Sequence, residues 1–172
     1  MVKQPSLIAA PIEASASGIA RQLTGLEVLA TASRPETRDW VMSLGAHHVI
    51  DHRQPLGPQL KALGYSQVDA VLSLASTDRY WDAIGEIIAP LGHVGMIVEP
   101  AAPLKIGGAY KDKSVGLHWE MMFARARFKT PDMIEQHRLG AAQLQLPGER
   151  GMHDRTGRRS GVGSGRPDGG GE

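Results

Sequence analysis

Apolar positions along this chain alternate between continuous short runs and spaced pairs, the pattern of strands alternating with helices. Leu26 to Ala32 is an apolar, β-compatible run, consistent with a buried parallel strand. A polar turn follows, and then Thr37, Val41 and Leu44 recur at helical spacing with Trp40 beside them. Ser33-x-x-Glu36 has the form of a capping box, and Pro35 suits a first helical turn. Gly45 stops this helix, and His48 to Asp51 is the next strand. The alternation continues with a helix over Gln59 to Leu63 closed by Gly64, a strand over Val68 to Leu74, and a helix from Thr77 or Asp78 to Ala89. Trp81, Ile84 and Ile88 share one face of that helix, and Pro90 and Gly92 end it. Strands are expected over His93 to Val98 and Lys113 to His118, and a capped helix runs from Thr130-Pro131-Asp132 toward Leu139. Before Leu26 the pattern is weaker. Leu7 to Ala10 reads as a short strand stopped by Pro11, and Ser17 to Leu23 as a helix end stopped by Gly25.

This order predicts an α/β fold, a doubly wound parallel sheet incomplete at its first strand. Three segments are expected: an atypical N-terminal stretch over 1–17, a partial dinucleotide-binding domain over 18–145, and a disordered Gly/Arg-rich tail over 146–172. From Pro147 to Glu172 there are nine glycines in 26 residues, and Val162 stands alone among Val, Ile, Leu and Phe. Such a stretch buries too little apolar surface to offset its ordering entropy.

Composition narrows the chemistry. The chain has no cysteine, which excludes disulfides, thiol nucleophiles and cysteine-held zinc. A net charge of +1 gives no nucleic-acid or membrane signature to the whole chain. No run of 18 apolar residues and no long apolar leader occur, so a cytoplasmic location is expected. His47, His48 and His52 crowd one region, but His48 and His52 stand about 13 Å apart at strand rise, too far for one metal on a straight strand. His118-Trp119-Glu120 is read as packing, and Lys105, Lys111 and Lys113 as a solvated loop. The arginines of the tail are diluted by acids and lack interleaved aromatics, so no nucleic-acid partner is expected.

Several stretches occur in an order that resembles a known family: ARQL at Ala20–Leu23, ATASRPE at Ala30–Glu36, SLGAHHVIDH at Ser43–His52 and VDAVLSLAST at Val68–Thr77. IIAPLGHVGMI at Ile87–Ile97, SVGLHWEMMF at Ser114–Phe123 and KTPDMIEQHRL at Lys129–Leu139 continue it. From about Ala20 to Leu139 the chain resembles the cofactor domain of medium-chain dehydrogenase/reductases, in the zinc-type alcohol dehydrogenase-like branch related to quinone oxidoreductases. The resemblance implies a Rossmann domain binding NADP(H). In a complete enzyme it implies hydride transfer to a carbonyl, quinone or activated alkene.

In that fold the cofactor ribose lies against the tip of the second strand, where an acidic residue would hold the 2′-hydroxyl of NAD and repel a 2′-phosphate. Ser33 and Arg34 stand there instead, a hydroxyl and a forked cation suited to phosphate, and Arg38 lies one helical turn on. Leu74, Ala75 and Ser76, and Gly95 and Met96, are expected to line the crevice at the tips of later strands. The chain also departs from the family. Counted back from Ala20, the glycine-fingerprint positions hold Ile8, Ala10 and Glu13, and Pro11 removes an amide donor. Nothing resembles the family's N-terminal catalytic domain, so no catalytic residue and no zinc-ligand set can be named. The chain alone is expected to be inactive. The alternatives are a non-catalytic interaction protein, assembling as a homo-oligomer through the edge of its sheet, or a degenerate truncated gene product.

Overall fold

The computed structural model describes residues 6–10, 20–21, 24–135 and 137–138. The expected tail and the turn beginning at Pro11 lie outside them. Six parallel strands form one sheet: β1 (Ser6–Ala10), β2 (Glu27–Thr31), β3 (His48–Ile50), β4 (Val68–Ser73), β5 (Ile88–Met96) and β6 (Gly116–Trp119). Their spatial order is β3-β2-β1-β4-β5-β6. The helices whose bounds lie within the described residues are α1 (Pro35–Ser43), α2 (Leu56–Ala62), α3 (Thr77–Ile87), α4 (Ala109–Asp112) and α5 (Ala124–Phe128). The first strand, expected to be deficient, runs for five residues at the centre of the sheet. Leu7 pairs with Val28 on one side and Ala70 on the other, so ladders on both flanks satisfy a strand of modest β propensity.

Proline chemistry explains two departures from expectation. The capping box does not form: the N-cap of α1 is Arg34, without a side-chain cap. Pro35 at the first helical position drives the residue before it out of the helical region, and Arg34 is extended at φ −101°, ψ 141°. Similarly, α3 stops at Ile87, and Ile88 is already extended two residues before Pro90. The strand then starts earlier than the apolar run suggested. Val68 pairs with Ile88 but Ala70 with His93, so the intervening residues loop out of the ladder. Leu91, at φ 62°, closes this loop by donating its N–H to the Lys113 carbonyl at 2.7 Å.

The main core joins Leu29, Leu60, Val71, Ile84 and Val94 to a buried aromatic pair, Trp81 and Tyr110. The two rings stack with centroids 4.1 Å apart. The Tyr110 hydroxyl donates to the Trp81 carbonyl at 2.6 Å, and Trp81 Nε1 donates to the Lys105 carbonyl at 2.9 Å. Gly85 permits this approach, since a Cβ there would stand 3.0 Å from the Tyr110 ring.

Lys113 is not the solvated residue expected from sequence. Its Nζ donates to the carbonyls of Gly85, Glu86 and Ile88 at 2.8, 3.0 and 2.8 Å, capping the negative end of α3 with a cation. Lys113→Met is expected to lower stability by about 1–2 kcal/mol, the cost of orphaning carbonyls that had a charged partner. Urea unfolding at neutral pH measures it, and an unchanged midpoint would contradict the cap.

At the opposite end of the sheet from the strand tips, Tyr65 is buried and bonded to Glu27, which also meets His48 Nε2 at 3.2 Å. Burial first, and the Glu27 carboxylate second, push the Tyr65 phenol up to about 12 from 10. Burial likewise raises Tyr110. A phenol with a raised folded pKa contributes stability that is full below pH 10 and fades as pH climbs through the folded value. An alkaline unfolding transition is therefore expected between about pH 10 and 12, with both phenolates appearing at 295 nm only as the helical signal is lost. Tyrosinate absorbance rising fully before unfolding would count against it.

Candidate nucleotide-binding site

Because every strand runs the same way, the end of β1 at Ala10 and the loops after Thr31, Ile50, Ser73 and Met96 lie along one edge of the sheet. The strand order reverses at β1, whose neighbours β2 and β4 diverge there, and a crevice at that switch point is where open α/β sheets bind ligands. Ser33, two residues past the end of β2 and after the buried Ala32, is half-buried, while Arg34 at the N-cap of α1 is exposed. Its guanidinium meets no partner among the described residues. Ala32 ties the loop to the next strand through its N–H, which donates to the Ile50 carbonyl at 2.9 Å.

Arg38 reaches back rather than outward. Its Nη2 donates to the Val49 carbonyl at 3.0 Å and its Nη1 to the Ala32 carbonyl at 3.5 Å, pinning the tips of β2 and β3 together. A second cation that sequence reasoning missed stands beside Ser33. Arg53, beyond β3, donates Nη2 to the Ser33 carbonyl at 3.0 Å and holds both Asp51 oxygens through Nε and Nη2. The Arg53 guanidinium first, and the Arg53 backbone N–H second, pull the Asp51 carboxyl down to about 2 by hydrogen bonding. Gln59 fixes the same turn, accepting from the Asp51 N–H at 2.8 Å and donating to the Asp51 carbonyl at 2.9 Å. The signal for Arg53 was the pair Asp51-x-Arg53 after the third strand, but placing it beside Ser33 requires knowing that β2 and β3 adjoin.

His52 lies in this turn with its ring edge-on to Tyr80, and burial lowers its pKa. Of the three clustered histidines, His47 Nδ1 accepts the Val28 N–H at 2.9 Å and His48 meets Glu27. Among the described residues no group of three or more potential metal ligands occurs. After β4, Leu74 and Ala75 are half-buried, and Ser76 caps α3 in the left-handed region at φ 49°. The Thr77 hydroxyl, within 3.2 Å of Ser73 Oγ, donates to the Val98 carbonyl at 3.3 Å, joining the tips of β4 and β5. Gly95 and Met96 are buried inside β5, Gly95 against Leu72, and the residues that emerge at its tip are Ile97 and Val98. Ile8 and Ala10 lie within β1, so any turn begins beyond them; Glu13 and Pro11 fall outside the described residues.

An all-parallel six-stranded sheet in this order, with the loops at its switch point along one edge, is the Rossmann-type doubly wound arrangement. No family profile matches the chain. It is 41% identical over 113 residues to the zinc-type alcohol dehydrogenase-like protein SAV2186 of Staphylococcus aureus, covering 66% of this chain and 33% of that protein. A Staphylococcus epidermidis protein of the same description is 34% identical over the same share of each. Among solved structures, a protein of Rhizobium etli described as a zinc-dependent alcohol dehydrogenase superposes with a TM-score of 0.76 at 45% identity, over 85% of this chain and 43% of that one. Mycobacterial Rv1454c, solved in complex with NADPH, shares the fold at a TM-score of 0.65 and 21% identity, over 82% of this chain and 44% of that one. The chain belongs to the medium-chain dehydrogenase/reductase superfamily, in its zinc-type alcohol dehydrogenase-like branch. It spans about a third of the length of the curated relatives it matches. Among the described residues no helix is long and apolar enough to cross a membrane.

Proposed function

We propose that this chain supplies the cofactor-binding portion of a cytoplasmic oxidoreductase that uses NADP(H), with hydride transfer to a carbonyl, quinone or activated alkene carried out by the complete enzyme. One observation carries the reading. Just past the tip of β2, where a carboxylate in this fold would favour NAD, stands Ser33, with Arg34 beside it meeting no partner among the described residues and Arg53 bound to the Ser33 carbonyl. That arrangement fits a 2′-phosphate at the ribose end of the cofactor. Ser33 and Arg34 would hold the phosphate, Arg53 would add charge, Arg38 would position the two loops, and Leu74 to Ser76 would flank the adenosine side. The cofactor itself supplies the hydride chemistry when bound. The NADPH complex of the mycobacterial neighbour supports the reading.

Calorimetric titration of the chain with NADPH and with NADH tests it. Tighter binding of NADPH is the expected result; equal affinities, or no binding of either, would overturn it. We also expect no quinone-dependent NADPH oxidation at a rate typical of enzymes, roughly 1 s⁻¹ or more, by this chain alone.

A second reading rests on the sheet edge. Among the described residues β6 is the terminal strand, and Trp119 at its end and Met121, Met122, Phe123 and Phe128 after it are exposed. An open strand edge flanked by apolar side chains suits pairing with a second copy. Sedimentation at micromolar concentration separates a monomer from such an oligomer.

A further inference from the structure

The expected role of His118 as packing is overturned by its surroundings: it is exposed on β6, facing an exposed histidine of the neighbouring strand. His93 Nδ1 and His118 Nε2 stand 3.0 Å apart, with ring centroids 5.2 Å apart and planes at 42°. The register places them. His93 pairs with Gly116 and Gly95 with His118, so His93, Gly116 and His118 share one face of the sheet. Gly116 leaves the space between the two nitrogens open. A Cβ on it would lie 2.6 Å from His93 Nδ1 and 2.9 Å from His118 Nε2. A small sphere over the Gly116 Cα therefore touches both imidazoles at once.

We propose that His93 and His118 form a two-imidazole site for a divalent transition metal that favours square-planar or tetragonal coordination, the Cu(II) or Ni(II) class. The separation selects the class. Nitrogens bound cis at about 2.0–2.1 Å lie about 2.9 Å apart at a right angle and about 3.4 Å apart at a tetrahedral one. The 3.0 Å between the hydrogen-bonded rings lies nearer the first. Both nitrogens can be ligands together when His93 carries its proton on Nε2 and His118 on Nδ1. Exposure leaves the remaining positions to water, and the metal replaces only one solvent-facing N–H···N bond, which is worth little on its own. The site lies on β5 and β6, apart from the β2 tip, and does not depend on the cofactor reading.

The test is titration of the full chain with Cu(II) alone, followed by electron paramagnetic resonance at one equivalent. One bound ion with a two-nitrogen equatorial signature is expected. His93→Gln and His118→Gln should each weaken binding at least tenfold and remove one nitrogen coupling, while the double change His47→Gln with His48→Gln leaves both unchanged. Gly116→Ala, with both histidines kept, should block the ion as well. Circular dichroism confirms that each variant is folded, and if Gly116→Ala is not, the two histidine variants decide. Parent-like affinity and signal in folded His93→Gln and His118→Gln would overturn the site.

Discussion

Trp81→Ala is expected to remove about 3–5 kcal/mol of folding free energy, the range for truncating a large buried aromatic. For a small domain whose whole stability is on the order of 5–15 kcal/mol, that leaves the chain close to its unfolding midpoint at 37 °C. The size follows from what the side chain does. Trp81 is 4% exposed in the main core and stacks on Tyr110, so its loss opens a cavity and strips one face of a second aromatic. Its indole N–H also satisfies the Lys105 carbonyl in the loop that leads to α4. Trp81→Phe separates the two parts, since it retains most of the stacking area but orphans that carbonyl. We expect it to cost about 1–2 kcal/mol. Urea unfolding followed by circular dichroism measures both. A loss below about 1 kcal/mol for the alanine variant, less than any core truncation of this kind, would mean that α3 and α4 are not packed through these rings.

How far the fold was legible depends on how local its causes are. β2, α1, β3 and β4 could be read because continuous apolar runs and Gly45 mark them, and Gly45 at φ 102° is a helix stop that a side chain would strain. α4 and α5, of four and five residues, carry too few positions for a helical period to show. β5 was misplaced because its first residue pairs before the Pro90–Gly92 irregularity, which breaks the apolar run without breaking the strand. The ordered landmarks from Ala20 to Leu139 carried the family, and the staphylococcal and rhizobial relatives bear it out.

The site was legible to a lesser degree for the same reason. Ser33 and Arg34 are adjacent in sequence and belong to one turn, so their partnership could be read. Arg53 comes to Ser33 from twenty residues away, Lys113 to α3 from twenty-five or more, and His118 to His93 from twenty-five. Each long-range pair is created by two elements becoming neighbours, which no local spacing encodes. Arg38 is the instructive case. Its spacing from Arg34 suggested a second phosphate ligand, yet the carbonyls of Ala32 and Val49 lie within its reach and take its donors.

Arg34→Glu is the change expected to move function most. A charge-assisted hydrogen bond to phosphate contributes about 1.5–3 kcal/mol, so losing it weakens NADPH binding by roughly 10- to 150-fold. The new carboxylate also repels the 2′-phosphate and can accept from a free 2′-hydroxyl, so NADH should bind at least as tightly as before and the preference should invert. Arg53 cannot compensate. Its guanidinium is already held by Asp51, whose carboxyl, drawn down to about 2, remains ionised at neutral pH. Arg34 is exposed, and among the described residues its side chain meets no partner, so the variant should unfold at the parent's urea concentration. Titration of the parent and the variant with both cofactors reads the result. A folded Arg34→Glu chain that still prefers NADPH would leave the phosphate without its assigned cation, and the tip of β2 would no longer explain any choice between the two cofactors.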